Sequence, residues 1–412
     1  MNHQDLILFF LQIGVMLAVA LLCGQLMRKI RQPAVLGELI GGILLGPTVF
    51  GLLAPELSAW LFPIDGAVGM SLDAVLKIGM LFFLFVAGLE VKLSGIHQKG
   101  LAVSTTSLFG VLLPFGLGFG AVVLWPDLWG GTATNGFLLA LFIGAALSIS
   151  ALPVIARILI DLKLIQSDVG IVVMAAATIN DLIGWALFAV ILSNVVPGSS
   201  HQSVWLTLGS VLGFTLFTFA LGHWLGQPLL HRLRASLAWP GGFIGLITIF
   251  ILFAAALAEA IGLHAIFGAF LIGVALGQEE ETDNEVHDII YQFAISFFAP
   301  LYFVSIGLKA NFAAYFDGWL VLVVLLIASL GKIGGASLGA WLGGSSPRQA
   351  LAIGFGMNAR GAMEIILASV ALEYGLINQQ IFVALVVMAL VTSMISGPAM
   401  QWLLNKKSYP AP

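Results

Sequence analysis

The stretch Leu147-Ser-Ile-Ser-Ala-Leu-Pro-Val154 interrupts an apolar run that is long enough to cross a membrane. Pro153 has no backbone N–H donor and disfavours helical backbone at Leu152, so the helix should break at this point. Ser148 and Ser150 can satisfy the backbone groups that the break leaves without partners. Because irregular backbone at membrane depth is tolerated only inside protein or beside a water-filled cavity, the stretch predicts a broken helix in such surroundings.

A second stretch, Gly354-Phe-Gly-Met-Asn-Ala-Arg-Gly361, interrupts another apolar run about 205 residues later, half the chain away. Its polar and flexible residues include Asn358 and Gly361. Interrupted helices at corresponding positions of two halves indicate the binding site of a membrane transporter. If each half has six spans and one further span connects them, the halves have opposite orientations in the membrane. The two stretches therefore predict inverted repeats whose broken helices cross.

The composition supports an all-α, polytopic membrane protein. Hydrophobic residues make up 60% of the 412 residues and charged residues only 9%, which exceeds what a soluble core requires. A spanning helix needs about 20 apolar residues, and dividing the chain at that length gives about thirteen spans. They lie near 5–27, 33–52, 74–92, 101–124, 135–160, 167–193, 203–224, 241–259, 262–277, 297–312, 317–343, 348–374 and 379–404.

We expect residues 1–412 to form a single transmembrane domain without a C-terminal regulatory domain. Repeat one covers about 5–193, the connector helix about 203–224, and repeat two about 241–404. Basic residues collect in alternate loops, which places the N-terminus outside and the C-terminus in the cytoplasm. This predicted orientation places the acidic loop 279–288 on the cytoplasmic side. The basic residues on the same side are Arg28, Lys29, Arg31, Lys92, Lys99, Arg157, Lys163, Arg232, Arg234, Arg348, Lys406 and Lys407.

Asp181 lies in the middle of an apolar stretch, Val172–Val190, with no basic residue nearby in sequence. Moving a charge into hydrocarbon costs about 3 kcal/mol on insertion scales, so water, a bound cation or a proton must offset the carboxylate. We expect the deprotonated carboxylate to share a monovalent cation with the hydroxyls of Ser148, Ser150 and Thr178 and with backbone oxygens near Leu152. Competition between cation and proton for this one carboxylate predicts one-for-one, electroneutral exchange.

Four further polar residues lie near the two predicted breaks. Asn180 either coordinates the cation directly or orients the ligands and caps a half-helix. Lys332, one span before the second break, either pairs with a carboxylate such as Glu364 or neutralises the carbonyls of a half-helix. Arg360 and Glu364 are four residues apart and are expected to pair along one helix.

At these residues the chain resembles the monovalent cation:proton antiporter-2 family, and within it the bacterial relatives of plant cation/proton exchangers. The likeness rests on Ala146-Leu-Ser-Ile-Ser-Ala-Leu-Pro-Val-Ile-Ala-Arg-Ile-Leu159, Ala177-Thr-Ile-Asn-Asp-Leu182, Gly262-Leu-His-Ala-Ile-Phe-Gly-Ala-Phe270, Pro300-Leu-Tyr-Phe-Val-Ser-Ile-Gly-Leu-Lys309 and Gly356-Met-Asn-Ala-Arg-Gly-Ala-Met-Glu364. The resemblance implies a Na⁺/H⁺ exchanger-like fold with a core domain, a scaffold domain that forms a homodimer, and an elevator-like movement of the core.

The resemblance also implies roles for individual residues. Asn180 and Asp181 match the family's Asn-Asp pair, in which the aspartate binds a cation or a proton. Lys332 matches the basic residue on the partner helix. Some relatives carry two aspartates at the pair and are electrogenic. Because Asn180 replaces the first of these acids, the partner of Lys332 is left open.

Other classes of protein fit the sequence less well. A zinc protease of the His-Glu-x-x-His type is excluded because that motif is absent, and an intramembrane aspartyl protease would need a second deep aspartate. We therefore expect a secondary antiporter for K⁺ or Na⁺ and H⁺ in a bacterial inner membrane, not an enzyme, with no cofactor and no nucleic-acid partner. A cation channel or an organic-solute carrier on the same fold is the alternative.

Overall fold

The computed structural model describes residues 2–30, 32–63, 66–91, 100–130, 136–194, 204–221, 241–277, 284–309 and 311–404. Within these ranges the regular structure is helical. The helices are α1 (His3–Lys29), α2 (Ala34–Leu45), α3 (Phe50–Leu53), α4 (Pro55–Leu61), α5 (Gly66–Leu89), α6 (Gly100–Leu124), α7 (Gly136–Ser148), α8 (Leu152–Asp161), α9 (Asp168–Ser193), α10 (Val204–Leu221), α11 (Gly241–Ala260), α12 (Ala265–Leu276), α13 (Asn284–Phe293), α14 (Ala299–Lys309), α15 (Phe312–Tyr315), α16 (Gly318–Leu342), α17 (Pro347–Met357), α18 (Ala362–Glu373) and α19 (Gln379–Leu403).

Eight helical segments in the described part of the chain are long and apolar enough to cross a membrane, and four shorter apolar helices accompany them. The chain is therefore a multi-pass, all-α membrane protein, as the composition predicted. The expected number of thirteen spans stays a prediction, because several described helices are shorter than a full span.

Two predicted spans have different bounds in the structure. The third was expected at 74–92, but α5 begins at Gly66 and ends at Leu89. The tenth was expected at 297–312, but helix begins at Asn284 in α13 and continues through the π-helical turn Ala294–Phe298 into α14. Hydropathy marks the apolar part of a helix, whereas backbone hydrogen bonding also continues through polar residues. Both helices therefore begin before the apolar run.

The start of helix at Asn284 also changes the predicted acidic loop 279–288. Residues 284–288 belong to α13, and 279–283 lie outside the described residues. Several of the basic residues used to orient the chain are also outside the described ranges. They are Arg31, Lys92, Lys99, Arg232, Arg234, Lys406 and Lys407. The orientation in the membrane stays a prediction.

The two predicted helix breaks are confirmed. Helix α7 ends at Ser148 and α8 begins at Leu152 with Pro153 in its first turn, where a missing N–H donor is tolerated. Helix α17 ends at Met357, followed by Asn358 as its C-terminal cap, and Gly361 precedes α18.

The two breaks are hydrogen-bonded to each other. The backbone N–H of Ala151 donates to the carbonyl of Ala359 at 3.0 Å, and the Ser150 hydroxyl donates to the carbonyl of Met357 at 2.9 Å. Each irregular segment therefore satisfies polar groups of the other, which is what non-helical backbone at membrane depth requires.

The chain divides into two compact units. Unit 1 comprises Met1–Lys92 and Leu192–Ala314, and unit 2 comprises Leu93–Ile191 and Tyr315–Pro412. Each unit draws helices from both halves of the chain, and both pairs of half-helices belong to unit 2. The exact repeat boundaries given above stay predictions.

Glycines bring two pairs of helices in unit 1 into backbone contact. A Cβ on Gly307 of α14 would lie 2.6 Å from the Cα of Gly42 in α2. A Cβ on Gly88 of α5 would lie 3.0 Å from the Cα of Gly273 in α12. In the predicted repeats the second span corresponds to the ninth and the third to the tenth. The predicted repeats would make one glycine contact the equivalent of the other. Small residues at both allow close packing.

Candidate cation site

Asp181 is completely buried in the middle of α9. Its neighbours Asn180 and Thr178 are also buried, with exposed fractions of 1% and 3%. Thr178 and Asp181 are three residues apart and therefore share a helix face. Apolar side chains surround this polar group along the rest of the helix and give α9 its membrane-spanning character. The desolvation of a carboxylate at this depth is costly unless a positive charge or a proton compensates it.

The Asn180 amide is oriented by its hydrogen-bonding neighbours. With its nitrogen toward α6, Nδ2 donates to Ser107 Oγ at 2.7 Å and to the carbonyls of Ser107 and Ala176 at 3.2 Å each. In the same orientation Oδ1 accepts a hydrogen bond from Lys332 Nζ at 3.0 Å. The opposite orientation would bring the amide N–H donors against the Lys332 ammonium, which has donors only.

Lys332 is completely buried in α16. Its ammonium also donates to the carbonyl of Gly110 at 3.0 Å and to the carbonyl of Ser148. Of the two partners considered from the sequence, a half-helix carbonyl, that of Ser148, accepts one of these bonds, whereas Glu364 acts on Lys332 through charge alone. The Gly110 carbonyl belongs to the continuous helix α6. Asn180 is a partner that the sequence did not indicate.

Arg360, completely buried, forms the expected ion pair with Glu364, with Nη1 at 3.3 Å from Oε1. The same guanidinium also reaches the end of α7. Nη1 donates to the carbonyls of Ala146 at 3.0 Å and Ile149 at 3.3 Å, and Nη2 donates to the carbonyl of Leu147 at 2.6 Å. Arg360 lies in the second break rather than on the half-helix where the pair was expected, because that helix begins only at Ala362. Its guanidinium therefore links the two breaks as well as pairing with Glu364.

Together the two buried cations satisfy four successive carbonyls at the C-terminal end of α7. Arg360 binds those of residues 146, 147 and 149, and Lys332 binds that of Ser148. The last carbonyls of a helix have no intrahelical partner and carry partial negative charge. The expectation that backbone oxygens near Leu152 coordinate the cation stays a prediction, because a carbonyl that accepts one hydrogen bond retains a second lone pair.

The two serines of the first break point in different directions. The Ser148 hydroxyl donates to the carbonyl of Gly144 at 2.7 Å, and the carbonyl of Val111 lies 3.2 Å away. The Ser150 hydroxyl donates to the carbonyl of Met357, where α17 ends. Each hydroxyl oxygen still has lone pairs that can accept or coordinate. Asp181 and Lys332 interact electrostatically, which brings the carboxylate, the lysine and the end of α7 into one locus.

Two hydroxyl residues at this locus were not singled out from the sequence. Ser107 contacts Asn180 as described above, and Ser393 of α19 donates to the carbonyl of Arg360. Serine and threonine in membrane helices commonly bond to their own backbone, so sequence alone gives no signal for such tertiary contacts. These two serines can be identified only from the packed structure, by their burial and their hydrogen-bond partners.

Comparisons with known proteins agree with this architecture. The family described as sodium/hydrogen exchanger, transmembrane, matches residues 16–406. Cation/H(+) antiporter 17 of Arabidopsis thaliana is 36% identical over 401 residues, which cover 95% of this chain and 48% of that protein. The chain thus spans about half the length of this relative. Na(+)/H(+) antiporter NhaS4 of Synechocystis sp. is 32% identical over 417 residues, with 100% of both chains covered.

The fold is also similar to a solved structure of the sodium proton antiporter MjNhaP1 from Methanocaldococcus jannaschii. The TM-score is 0.69 at 17% sequence identity, with 98% of this chain and 99% of the other covered. At this level of identity the likeness concerns the fold.

Proposed function

This chain belongs to the sodium/hydrogen exchanger family, whose members are transporters rather than enzymes, and we propose that it exchanges a monovalent cation, K⁺ or Na⁺, for protons across a membrane. Asp181 is the shared binding site in this proposal. The observation that carries it is the complete burial of this carboxylate beside the crossing of two broken helices. The names of the relatives, which include a cation/H(+) and a Na(+)/H(+) antiporter, support the same activity.

Exchange follows from competition for one carboxylate. An uncompensated charge on Asp181 opposes movement through the hydrocarbon, while a bound proton or a bound monovalent cation neutralises it equally well. The protein can then change its accessibility when either is bound. In this mechanism Thr178, Ser148 and Ser150 supply neutral oxygens to the cation. The hydrogen bond from Lys332 to the Asn180 oxygen supports an orienting role for Asn180 over direct coordination.

The movement itself is proposed to be an elevator-like, alternating-access step. Asp181, Lys332, Arg360 and both helix breaks belong to unit 2, so unit 2 can carry the complete site as one body. Unit 1 then corresponds to the scaffold, through which we propose that two copies form a homodimer. We further propose that this multi-pass protein resides in a bacterial inner membrane, in accord with its resemblance to bacterial exchangers.

The test is proton movement in proteoliposomes that contain the purified protein and an internal pH dye. Addition of Na⁺ or K⁺ outside is expected to make the interior alkaline with the wild type and to have no effect with Asp181→Asn. Asp168→Asn is a matched control, because Asp168 is an exposed aspartate at the start of the same helix. It should transport like the wild type, and the more effective cation identifies the substrate.

A cation channel is the alternative on the same fold. It would conduct cations without moving protons in exchange. A cation current with no cation-dependent alkalinisation, or an equal response of wild type and Asp181→Asn, would refute the proposed antiport through Asp181.

A further inference from the structure

Ser107 on α6 is buried to 3% exposure, and its hydroxyl oxygen lies 2.7 Å from the Asn180 amide. The other two acceptors near the amide nitrogen are backbone carbonyls, at 3.2 Å each. Among the residues that the structure describes, Ser107 thus provides the side-chain hydroxyl that contacts this amide. Neither the proposed cation ligands nor the buried charges include it.

We propose that Ser107 is a positioning residue that anchors the Asn180 amide on α6 and so keeps the amide oxygen on Lys332. This inference rests on the proposed function. A hydroxyl can accept from the amide nitrogen or donate to the amide oxygen, so the two backbone carbonyls and Lys332 set which way the amide faces. The Ser107 hydroxyl provides the shortest of the contacts that hold the amide in place. Rotation of the amide would place donors against the donors of Lys332 and remove an acceptor from a buried ammonium.

The orientation matters because an ammonium has three N–H donors. With the amide oxygen assigned to the side of Lys332, three oxygens accept them, from Gly110, Ser148 and Asn180. Asp181 lies within electrostatic reach of the same ammonium. When the Asn180 oxygen turns away, the third donor is redirected toward the carboxylate, where it competes with the transported cation. Ser107 therefore sets cation affinity without touching the cation.

The first experiment compares cation dependence of transport in proteoliposomes. Ser107→Ala should raise the apparent KM for the cation about five-fold, the factor that corresponds to one hydrogen bond of ordinary strength, with the maximal rate unchanged. Ser107→Thr keeps the hydroxyl and should keep the wild-type KM. Thr106→Val is the matched control: Thr106 is completely buried next to Ser107, and its hydroxyl makes no hydrogen bond with the described residues.

A second experiment separates positioning from a general effect on packing. Cation affinity is measured as the rise in unfolding temperature with cation concentration, which requires no turnover. In an Asn180→Ala background, Ser107→Ala should cause no further loss of affinity, because the residue acts through the amide. Independent, additive losses would overturn the proposal.

The outcomes distinguish this inference from the proposed function. The positioning role is refuted if the wild type exchanges ions but Ser107→Ala leaves the KM unchanged. It is also refuted if Thr106→Val changes the KM as much as Ser107→Ala does. Antiport itself stands in both cases. A wild type that shows no cation-driven proton movement refutes both. Loss of affinity in Ser107→Ala alone, with recovery in Ser107→Thr, supports both.

Discussion

Arg360 and Lys332 replace the water that would otherwise solvate the end of a helix. The last three carbonyls of α7 and that of Ile149, which follows it, lie in a buried region, and each unsatisfied carbonyl there would cost free energy. The two side chains bring positive charge to the negative end of the helix dipole. Arg360 is paired in turn with Glu364, and Lys332 interacts electrostatically with Asp181. The buried charges thus stabilise irregular backbone and remain part of the candidate site.

Arg360→Ala is expected to destabilise the protein severely. The change removes three hydrogen bonds to α7 and leaves Glu364 as a buried charge without its ion-pair partner. Loss of one partner of a buried pair typically costs about 3–5 kcal/mol. The unfolding temperature in detergent measures the effect. Arg348→Ala, at an exposed arginine in the first turn of α17, is the control and should leave that temperature unchanged.

The Arg360→Ala, Glu364→Gln double variant tests the reason for this loss. It removes the orphaned charge, so it should recover part of the unfolding temperature. Equal instability of the single and double variants would show that the carbonyls of α7, rather than the ion pair, account for the effect.

Acidification should weaken cation binding at Asp181. If one proton and one cation compete for one carboxylate, the apparent KM rises with proton concentration, up to about tenfold per pH unit, by mass action. At saturating cation concentration, the maximal rate should not depend on the pH of the side from which the cation enters. Initial rates at several cation concentrations and pH values check this. A fall in the maximal rate at constant KM would contradict simple competition.

At the scale of helices, sequence reasoning succeeded where a local rule decides the structure. Pro153 and the Gly/Asn-rich stretch around Asn358 break their helices because the backbone is locally disfavoured. The partners of Lys332 could not be predicted in the same way. Gly110 is 222 residues away in sequence and contributes only a backbone carbonyl. The predicted start of α5 was wrong for another reason, because its first turns are helical without being strongly apolar.

The contact between α2 and α14 predicts that Gly42→Ala destabilises unit 1. An added Cβ would lie 2.9 Å from the carbonyl carbon of Val304, so the two helices must separate. Overpacking of this kind costs about 1–3 kcal/mol. Gly14→Ala on α1 is the control because nothing lies within 4 Å of its added Cβ. Unfolding temperatures in detergent compare the two variants, and an equal shift would argue against the close contact.

At the scale of the whole molecule, the sharing of one carboxylate in unit 2 by a proton and a monovalent cation predicts electroneutral transport. The buried charged residues of unit 2, among those described, are Asp181, Lys332, Arg360 and Glu364, two of each sign. A proton and a monovalent cation add the same charge to Asp181, so the two loaded forms have equal charge. Recordings on a solid-supported membrane should show no sustained current while a pH dye reports transport. A current that reverses with the cation gradient would contradict one-for-one exchange.

The way the chain alternates between the two units has a consequence for biosynthesis. Unit 2 is completed only by residues after 314, so Asp181 emerges from the ribosome about 150 residues before Lys332. At synthesis rates of about 5–20 residues per second, the interval is roughly 8–30 s. During that time α9 has neither Lys332 nor the second broken helix beside it. The nascent first half must therefore be retained by the insertion machinery, or enter the lipid with its aspartate protonated, until the second half arrives.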